Sequence, residues 1–307
     1  MELYLAPLEG ITTYTYRNTH AELFGECDAY YAPFIVPTDN ERLSLKSLRD
    51  ITPANNRVNL KPQVMCTTPS AFGEFVRKIK EIGYDELNLN LGCPSGTVVH
   101  KARGSGALKD TEALDELLCG VFEIKDMKIS IKTRAGFYSH EEFENLLRIY
   151  KKYPLSKLIV HPRVREEYYN GEPNLESFEK AYKIFRDKLC YNGNIYSVSD
   201  FCRINEMFPE INSVMIGRGC VRNPAIFREI KGGKKLSTSE LINFSNVLEK
   251  RYLNLFNSET NTLNKLKEIW LYSMMNYPDE HKIIKAIKKA KKLADLNSAV
   301  NALPELA

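Results

Sequence analysis

Cys93 stands between Gly92 and Pro94, directly after the apolar run 86–91. Glycine before it and proline after it place the thiol on a sharp turn at the end of a strand-like segment. A thiol with a pKa near ~8.5 is mostly protonated at neutral pH and can donate a proton. Cysteines in general are more often inert, buried hydrophobes, so the surroundings must decide. Lys132 lies inside the apolar segment Ile129-Ser130-Ile131-Lys132-Thr133-Arg134. A lysine there needs a counter-charge, which either an anionic ligand or an internal salt bridge would supply. His161 ends another apolar run and leads into Pro162-Arg163. Two further runs end in Asn192-Gly193-Asn194 and Gly217-Arg218-Gly219. Glycines there let backbone N–H groups approach phosphate oxygens, and Arg218 adds charge and donors. Tight turns explain most isolated glycines, but two such strand ends together point to a phosphate site.

The elements that must position these residues are legible as a regular alternation. Strand-like runs occur at 3–8, 28–33, 62–66, 86–91, 128–132, 157–161, 189–192 and 213–216. Several are nearly continuous apolar stretches, as parallel strands buried on both faces require. Amphipathic helical stretches separate them. One, at 70–82, carries Phe72, Phe75, Val76 and Ile79; another, at 141–153, carries Phe143, Leu146, Leu147 and Tyr150. Eight strands within roughly 230 residues fit one α/β domain, a (β/α)8 or TIM barrel. An open doubly wound sheet would show a glycine fingerprint after its first strand, where this chain has Pro7-Leu8-Glu9-Gly10. In a barrel the chemistry gathers at the C-terminal strand ends. Pro7 and Leu8, Gln63, Asn90 and Cys93, Lys132 and Arg134, His161 and Arg163, and the two glycine-containing ends all fall there.

After Ile230 the pattern changes. Lys231-Gly232-Gly233-Lys234-Lys235 reads as a basic linker, and Ser237-Thr238-Ser239-Glu240 has capping-box spacing. Helices are predicted at 238–257, 261–276 and 279–296, so a barrel over 1–232 is followed by a small all-helical domain over 233–307. The last helix would align Lys285, Lys288, Lys289 and Lys292 on one face, opposite Ile283, Ile287, Ala290 and Ala294. Such a face is either solvated surface or a phosphate contact. Lys101, Arg103, Arg163 and Arg165 near the barrel mouth could continue a basic track.

Composition sets the outer bounds. With 43% hydrophobic and 27% charged residues the chain reads as globular, and its net charge of +4 is mild. No apolar run approaches the ~20 residues of a membrane span, and the N-terminus lacks a signal-peptide pattern, so the expected location is the cytoplasm. Seven cysteines without a CxxC pair suggest neither a disulfide framework nor a metal site.

Taken in order, these strand ends resemble those of the tRNA-dihydrouridine synthase family. The matching segments are Leu5-Ala6-Pro7-Leu8-Glu9-Gly10, Asn88-Leu89-Asn90-Leu91-Gly92-Cys93-Pro94-Ser95 with Gly104-Ser105-Gly106-Ala107-Leu108, and Lys132-Thr133-Arg134-Ala135-Gly136. His161-Pro162-Arg163 with Tyr169 and Gly171, Asn192-Gly193-Asn194-Ile195, and Ile216-Gly217-Arg218-Gly219 with Asn223-Pro224 complete the set. The resemblance spans the whole barrel. It implies bound FMN, reduced by NADPH, and saturation of the C5–C6 bond of uridine in the D-loop of tRNA. Hydride would pass from flavin N5 to C6, and Cys93 would protonate C5. Pro7, Leu8 and Gln63 would contact the flavin ring, Lys132 its pyrimidine edge, and His161 the ribityl or phosphate side. Asn192, Gly193, Asn194, Gly217 and Arg218 would hold the phosphate end. Asn90, Lys101, Arg134 and Arg163 would lie on the substrate side, with the lysine face of the last helix as further RNA contact. The expected partner is tRNA, with neither membrane nor metal, and the protein would act as a monomer. Two departures stand out: Asn194 occupies a position where many relatives have aspartate, and Val164 one where many have threonine. Three other readings stay open: a flavin oxidoreductase acting on a free pyrimidine of the dihydroorotate type, a non-catalytic RNA-binding barrel, and a phosphate-binding aldolase-like barrel whose lysine would form a Schiff base.

Overall fold

The computed structural model describes residues 1–37, 44–125 and 127–306. Its strands are β1 (Glu2–Leu5), β2 (Ala29–Tyr31), β3 (Leu60–Lys61), β4 (Gln63–Val64), β5 (Glu86–Leu91), β6 (Lys128–Arg134), β7 (Lys157–His161), β8 (Leu189–Tyr191) and β9 (Ser213–Ile216). All pair in parallel, in the order β3-β2-β1-β9-β8-β7-β6-β5-β4. The two ends of that order, β3 and β4, are halves of one stave, so the sheet is a barrel closed except at Pro62. Proline has no N–H for a ladder, which is why the run expected at 62–66 is instead two short pieces. The Pro62 carbonyl still accepts from Asn88 N at 3.0 Å, keeping the stave in register.

Helices alternate with the strands: α1 (Tyr14–Phe24), α2 (Leu45–Ile51), α3 (Pro69–Ile82), α4 (Gly96–Val99), α5 (Thr111–Phe122), α6 (Glu142–Lys151), α7 (Leu175–Phe185), α8 (Val198–Met207), α9 (Arg218–Arg222) and α10 (Ile226–Ile230). The period-two pattern of β5 shows how the barrel is built. Leu87, Leu89 and Leu91 face the helices and join the main apolar core with Phe72, Phe75 and Val76. Asn88 and Asn90 point inward, to Gln63 and Ser130. The inner apolar layer is small: Tyr4, Ala6, Ala29, Tyr31, Ile159, Cys190 and Met215.

Four helices follow: α11 (Thr238–Phe256), α12 (Glu259–Ser273), α13 (His281–Lys289) and α14 (Leu293–Val300). Ser237 and Glu240 form the expected capping box at the start of α11. Phe244 of α11 packs edge-on against Tyr16 and Phe24 of α1, and the apolar core runs unbroken from barrel to helices. The single helix expected at 279–296 is two. Ala290 and Lys292 are extended, the Lys267 ammonium caps the carbonyls of Lys288 and Ala290, and Asp295 accepts from the N–H groups of Lys291 and Lys292. Lys285, Lys288 and Lys289 therefore share an exposed face of α13, whereas Lys292 lies beyond its end. Leu293 and Leu296, rather than the exposed Ala294, continue the buried stripe.

Candidate active site

Cys93 is clamped from three directions. Asn90, the last inward side chain of β5, accepts with Oδ1 from the N–H groups of Gly92 and Cys93, each at 3.0 Å. Arg134, ending β6, donates from Nε to the Gly92 carbonyl at 3.0 Å. Ser105 donates to the Cys93 carbonyl from its N–H (3.1 Å) and its hydroxyl (2.9 Å). Gly104, at φ +56°, permits that approach: a Cβ there would stand 2.8 Å from the Cys93 carbonyl oxygen. The thiol itself is half-buried, and burial pushes its pKa up, so it is held protonated at neutral pH. Of the other cysteines, Cys27, Cys66, Cys190 and Cys220 are buried, and all are free thiols.

Beneath the turn runs a chain of amides. Ser130 Oγ receives Asn88 Nδ2 (2.9 Å), Asn88 Oδ1 receives Gln63 Nε2 (2.7 Å), and Gln63 Oε1 receives Asn90 Nδ2 (2.7 Å). Gln63, expected against the ligand, is fully buried with both amide atoms engaged, and it supports Asn90 from below. Asn88 stands in the matching segment without an assigned role. Its place two before Asn90 on a strand was the available signal, since i and i+2 share a face.

Above this floor opens a cleft of about 870 Å³, its solvent mouth included. Pro7, Leu8, Asn90, Cys93, Lys132, Arg134, His161, Asn192, Gly193, Gly217 and Arg218 line it, as the barrel rule requires. Lys132 is half-buried and has neither a hydrogen bond nor an ion pair among the described residues. Burial, helped by the neighbouring Arg134 cation, brings its pKa down to about 8. The internal salt bridge that a strand lysine could have made is therefore absent among the described residues. What remains is a cation facing open space. Burial likewise lowers Arg134 to about 10, which leaves it charged.

His161 is buried and kept neutral, chiefly by burial and then by the cations Arg134 and Lys132. Its Nδ1 lies 2.5 Å from the Asn192 carbonyl and its Nε2 3.3 Å from Arg163 Nη1. Since a guanidinium only donates, Nε2 accepts and Nδ1 carries the proton. Donation to a ligand would thus require the Arg163 contact to give way. Arg163, expected on the substrate side, is fully buried. It clasps the carbonyls of Asn170 (3.1 Å) and Gly171, and it lies outside the cleft lining. Asn194 is also outside the lining. Its Oδ1 accepts from Arg218 (2.9 Å) and, more weakly, from Arg163 (3.4 Å).

The N–H groups of Gly193, Gly217, Arg218 and Gly219 have no acceptor among the described residues. Gly219 must be glycine, because a Cβ would meet the Ile195 carbonyl at 1.9 Å. Tyr169 also lines the cleft, without a role assigned from sequence. Its ring, 46% exposed, lies under the guanidinium groups of Arg134 (5.4 Å) and Arg218 (4.4 Å). Lys101, beyond the end of α4, and Lys285, Lys288, Lys289 and Lys292 are exposed and outside the lining.

Among solved structures, morphinone reductase shares the fold: TM-score 0.54 at 10% identity, covering 76% of this chain and 86% of that one. A second structure, of morphinone reductase in complex with tetrahydroNAD, gives 0.53 with 76% and 88% covered. In sequence, the "Probable tRNA-dihydrouridine synthase" of Staphylococcus aureus (strain COL) is 26% identical over 277 residues, 86% of this chain and 80% of that protein. "tRNA-dihydrouridine synthase B" of Pseudomonas aeruginosa is 26% identical over 234 residues, 74% of this chain and 68% of that one. The family model described as dihydrouridine synthase matches residues 4–304, and the chain belongs to that family.

Proposed function

We propose that this protein binds FMN in the barrel cleft and uses NADPH to reduce the C5–C6 double bond of uridine in tRNA, with Cys93 as proton donor. The residues present fit such a group. A ligand with an anionic edge answers the unpartnered Lys132, and a phosphate answers the unused N–H groups at Gly193 and Gly217–Gly219. Pro7 and Leu8 offer a small apolar surface for a flat ring. When bound there, a reduced flavin supplies the hydride that enters at C6 of the uracil.

Charge then develops on the ring, and the Cys93 S–H delivers the proton to C5. The resulting thiolate lies near the Lys132 and Arg134 cations and regains a proton from solvent. Asn90, Arg134 and Ser105 hold the sulfur in place through the backbone around it. His161, Asn192 and Arg163 order the far side of the cleft. A target base must leave the RNA stack to reach this depth. We assign that RNA contact to the helical part, 233–307, and to the barrel mouth.

One observation carries the reading: a protonated, half-buried thiol clamped by three separate elements, across a cleft from a lysine with no partner among the described residues. Mapping dihydrouridine in cellular tRNA with and without this gene tests it. Loss at one or more positions is expected. No change at any site, with purified protein that stays colourless on adding FMN, overturns it.

A further inference from the structure

A second cleft of about 820 Å³ adjoins the first and shares Glu9, Pro33 and Phe34 with it. One wall comes from the barrel, from the segments after β1 and β2 and from the start of α2. The other comes from the C-terminal helices, through Tyr252, Leu255 and Phe256 of α11 and Lys265 of α12. Its interior is largely aromatic and aliphatic. Phe256 stacks on Tyr252 at 5.4 Å and remains half-exposed, and Phe34 stands on the side toward Cys93.

The charges are sorted by position. Lys46 and Arg49 are exposed on α2 and have no hydrogen-bond or ion-pair partner from their side chains among the described residues. Lys265 lies deeper and is paired with Glu268 at 2.6 Å. Of the carboxylates, Asp50 is already occupied by Arg17 and the Tyr14 N–H. Glu9 faces both clefts. An aromatic interior, an acceptor on one wall and cations without a hydrogen-bond or ion-pair partner among the described residues on another match a nucleotide. The base stacks within, its N–H edge meets the Glu9 carboxylate, whose pKa burial raises and the nearby Lys46 lowers, and its phosphates meet Lys46 and Arg49. A shallower groove continues outward past Tyr14, Arg49 and Leu255 and adds Arg57, which extends the path a phosphate backbone could follow.

We propose that this second cleft holds the nucleotide next to the uridine being reduced, so that two adjacent bases are seated in the protein at once. The inference rests on RNA being the substrate. Flipping one base from a stack strips its neighbour of a stacking face, and an adjoining aromatic cleft restores that contact.

The test pairs an RNA change with a protein change. A tRNA carrying an abasic nucleotide beside the target uridine should bind the wild-type holoenzyme about tenfold more weakly, as loss of one stacked base implies. Phe256→Ala should bind intact tRNA more weakly by a similar factor and be nearly indifferent to the abasic change, the signature of coupling in a double-mutant cycle. Lys46→Glu with Arg49→Glu, on the exposed face of α2, should flatten the salt dependence of binding without disturbing the fold. Equal abasic penalties in wild type and Phe256→Ala, on both sides of the target, would overturn the proposal. So would a rise in KM for NADPH, in place of weaker RNA binding, in these variants. If the wild type forms no dihydrouridine at all, it is the substrate assignment that has failed.

Discussion

The two mouths of the barrel each hold a strand lysine, and the contrast between them separates stability from function. Lys157, at the start of β7, donates to Glu2 (3.1 Å), the Tyr4 hydroxyl (2.5 Å) and Ser213 (3.1 Å), and it lies over the Tyr4 ring. Every donor it offers has a partner. Lys132, near the end of β6 on the opposite mouth, has none among the described residues, and its pKa is brought down to about 8. A half-buried cation without a partner costs free energy. A fold keeps such a residue when a ligand completes it. Around the unpartnered lysine stand the clamped thiol and the unused N–H groups; around the partnered one stand packed side chains. The lesson is to look for function where polar groups are incomplete rather than where they are numerous.

The sharpest way to test that contrast is at the thiol. Cys93→Ala should cut turnover on tRNA by about 10²–10⁴-fold while flavin binding and its reduction by NADPH persist, as for loss of one general acid. Stopped-flow kinetics separates the two half-reactions, and loss of both would make Cys93 structural. Next comes Lys132→Met, for which flavin affinity should fall about ten- to a hundredfold, the range for one hydrogen bond to a charged group, with no loss of melting temperature. The pH dependence has a definite sign. The ammonium is the binding form, so wild-type affinity is present below about pH 8 and declines as pH rises through it, whereas the methionine variant shows no such decline.

Lys157→Met should do the reverse. Stability drops by about 1–3 kcal/mol, seen in urea unfolding, with kcat/KM on tRNA unchanged. If the two lysine variants behaved alike, the contrast between the mouths would collapse. The smallest effect belongs to α13. Reversing Lys285, Lys288 and Lys289 should change only RNA affinity, lowering its log–log salt slope by roughly one for each lysine that meets a phosphate. An unchanged slope would leave that face as solvated surface.

Much of this was legible in the chain. Seven of the eight runs, the turn at Cys93 and the glycine-containing ends lie close to where apolar runs alternating with amphipathic stretches, and turn chemistry, put them, because those signals are local. The split stave at Pro62 is not among them: one run is expected over 62–66, and the missing proline N–H explains why it divides. The break between α13 and α14 was harder to read. The 281–296 stretch holds a helical pattern throughout, and the interruption is secured by Lys267, more than twenty residues away.

Roles that depend on partners were illegible for the same reason. Arg163, expected on the substrate side, and Gln63, expected against the flavin ring, have their hydrogen-bonding atoms taken up by Asn170, Gly171, Asn194, Asn88 and Asn90, contacts that exist only once the barrel closes. Lys132 is the converse case: its sequence allowed a salt bridge as readily as a ligand, and only the assembled cleft shows a cation with no partner among the described residues. Sequence by itself determined which residues arrive at the catalytic mouth, since strand direction and periodicity are local properties. The tertiary structure decided which of them are already satisfied there, since that depends on neighbours brought together across the sheet.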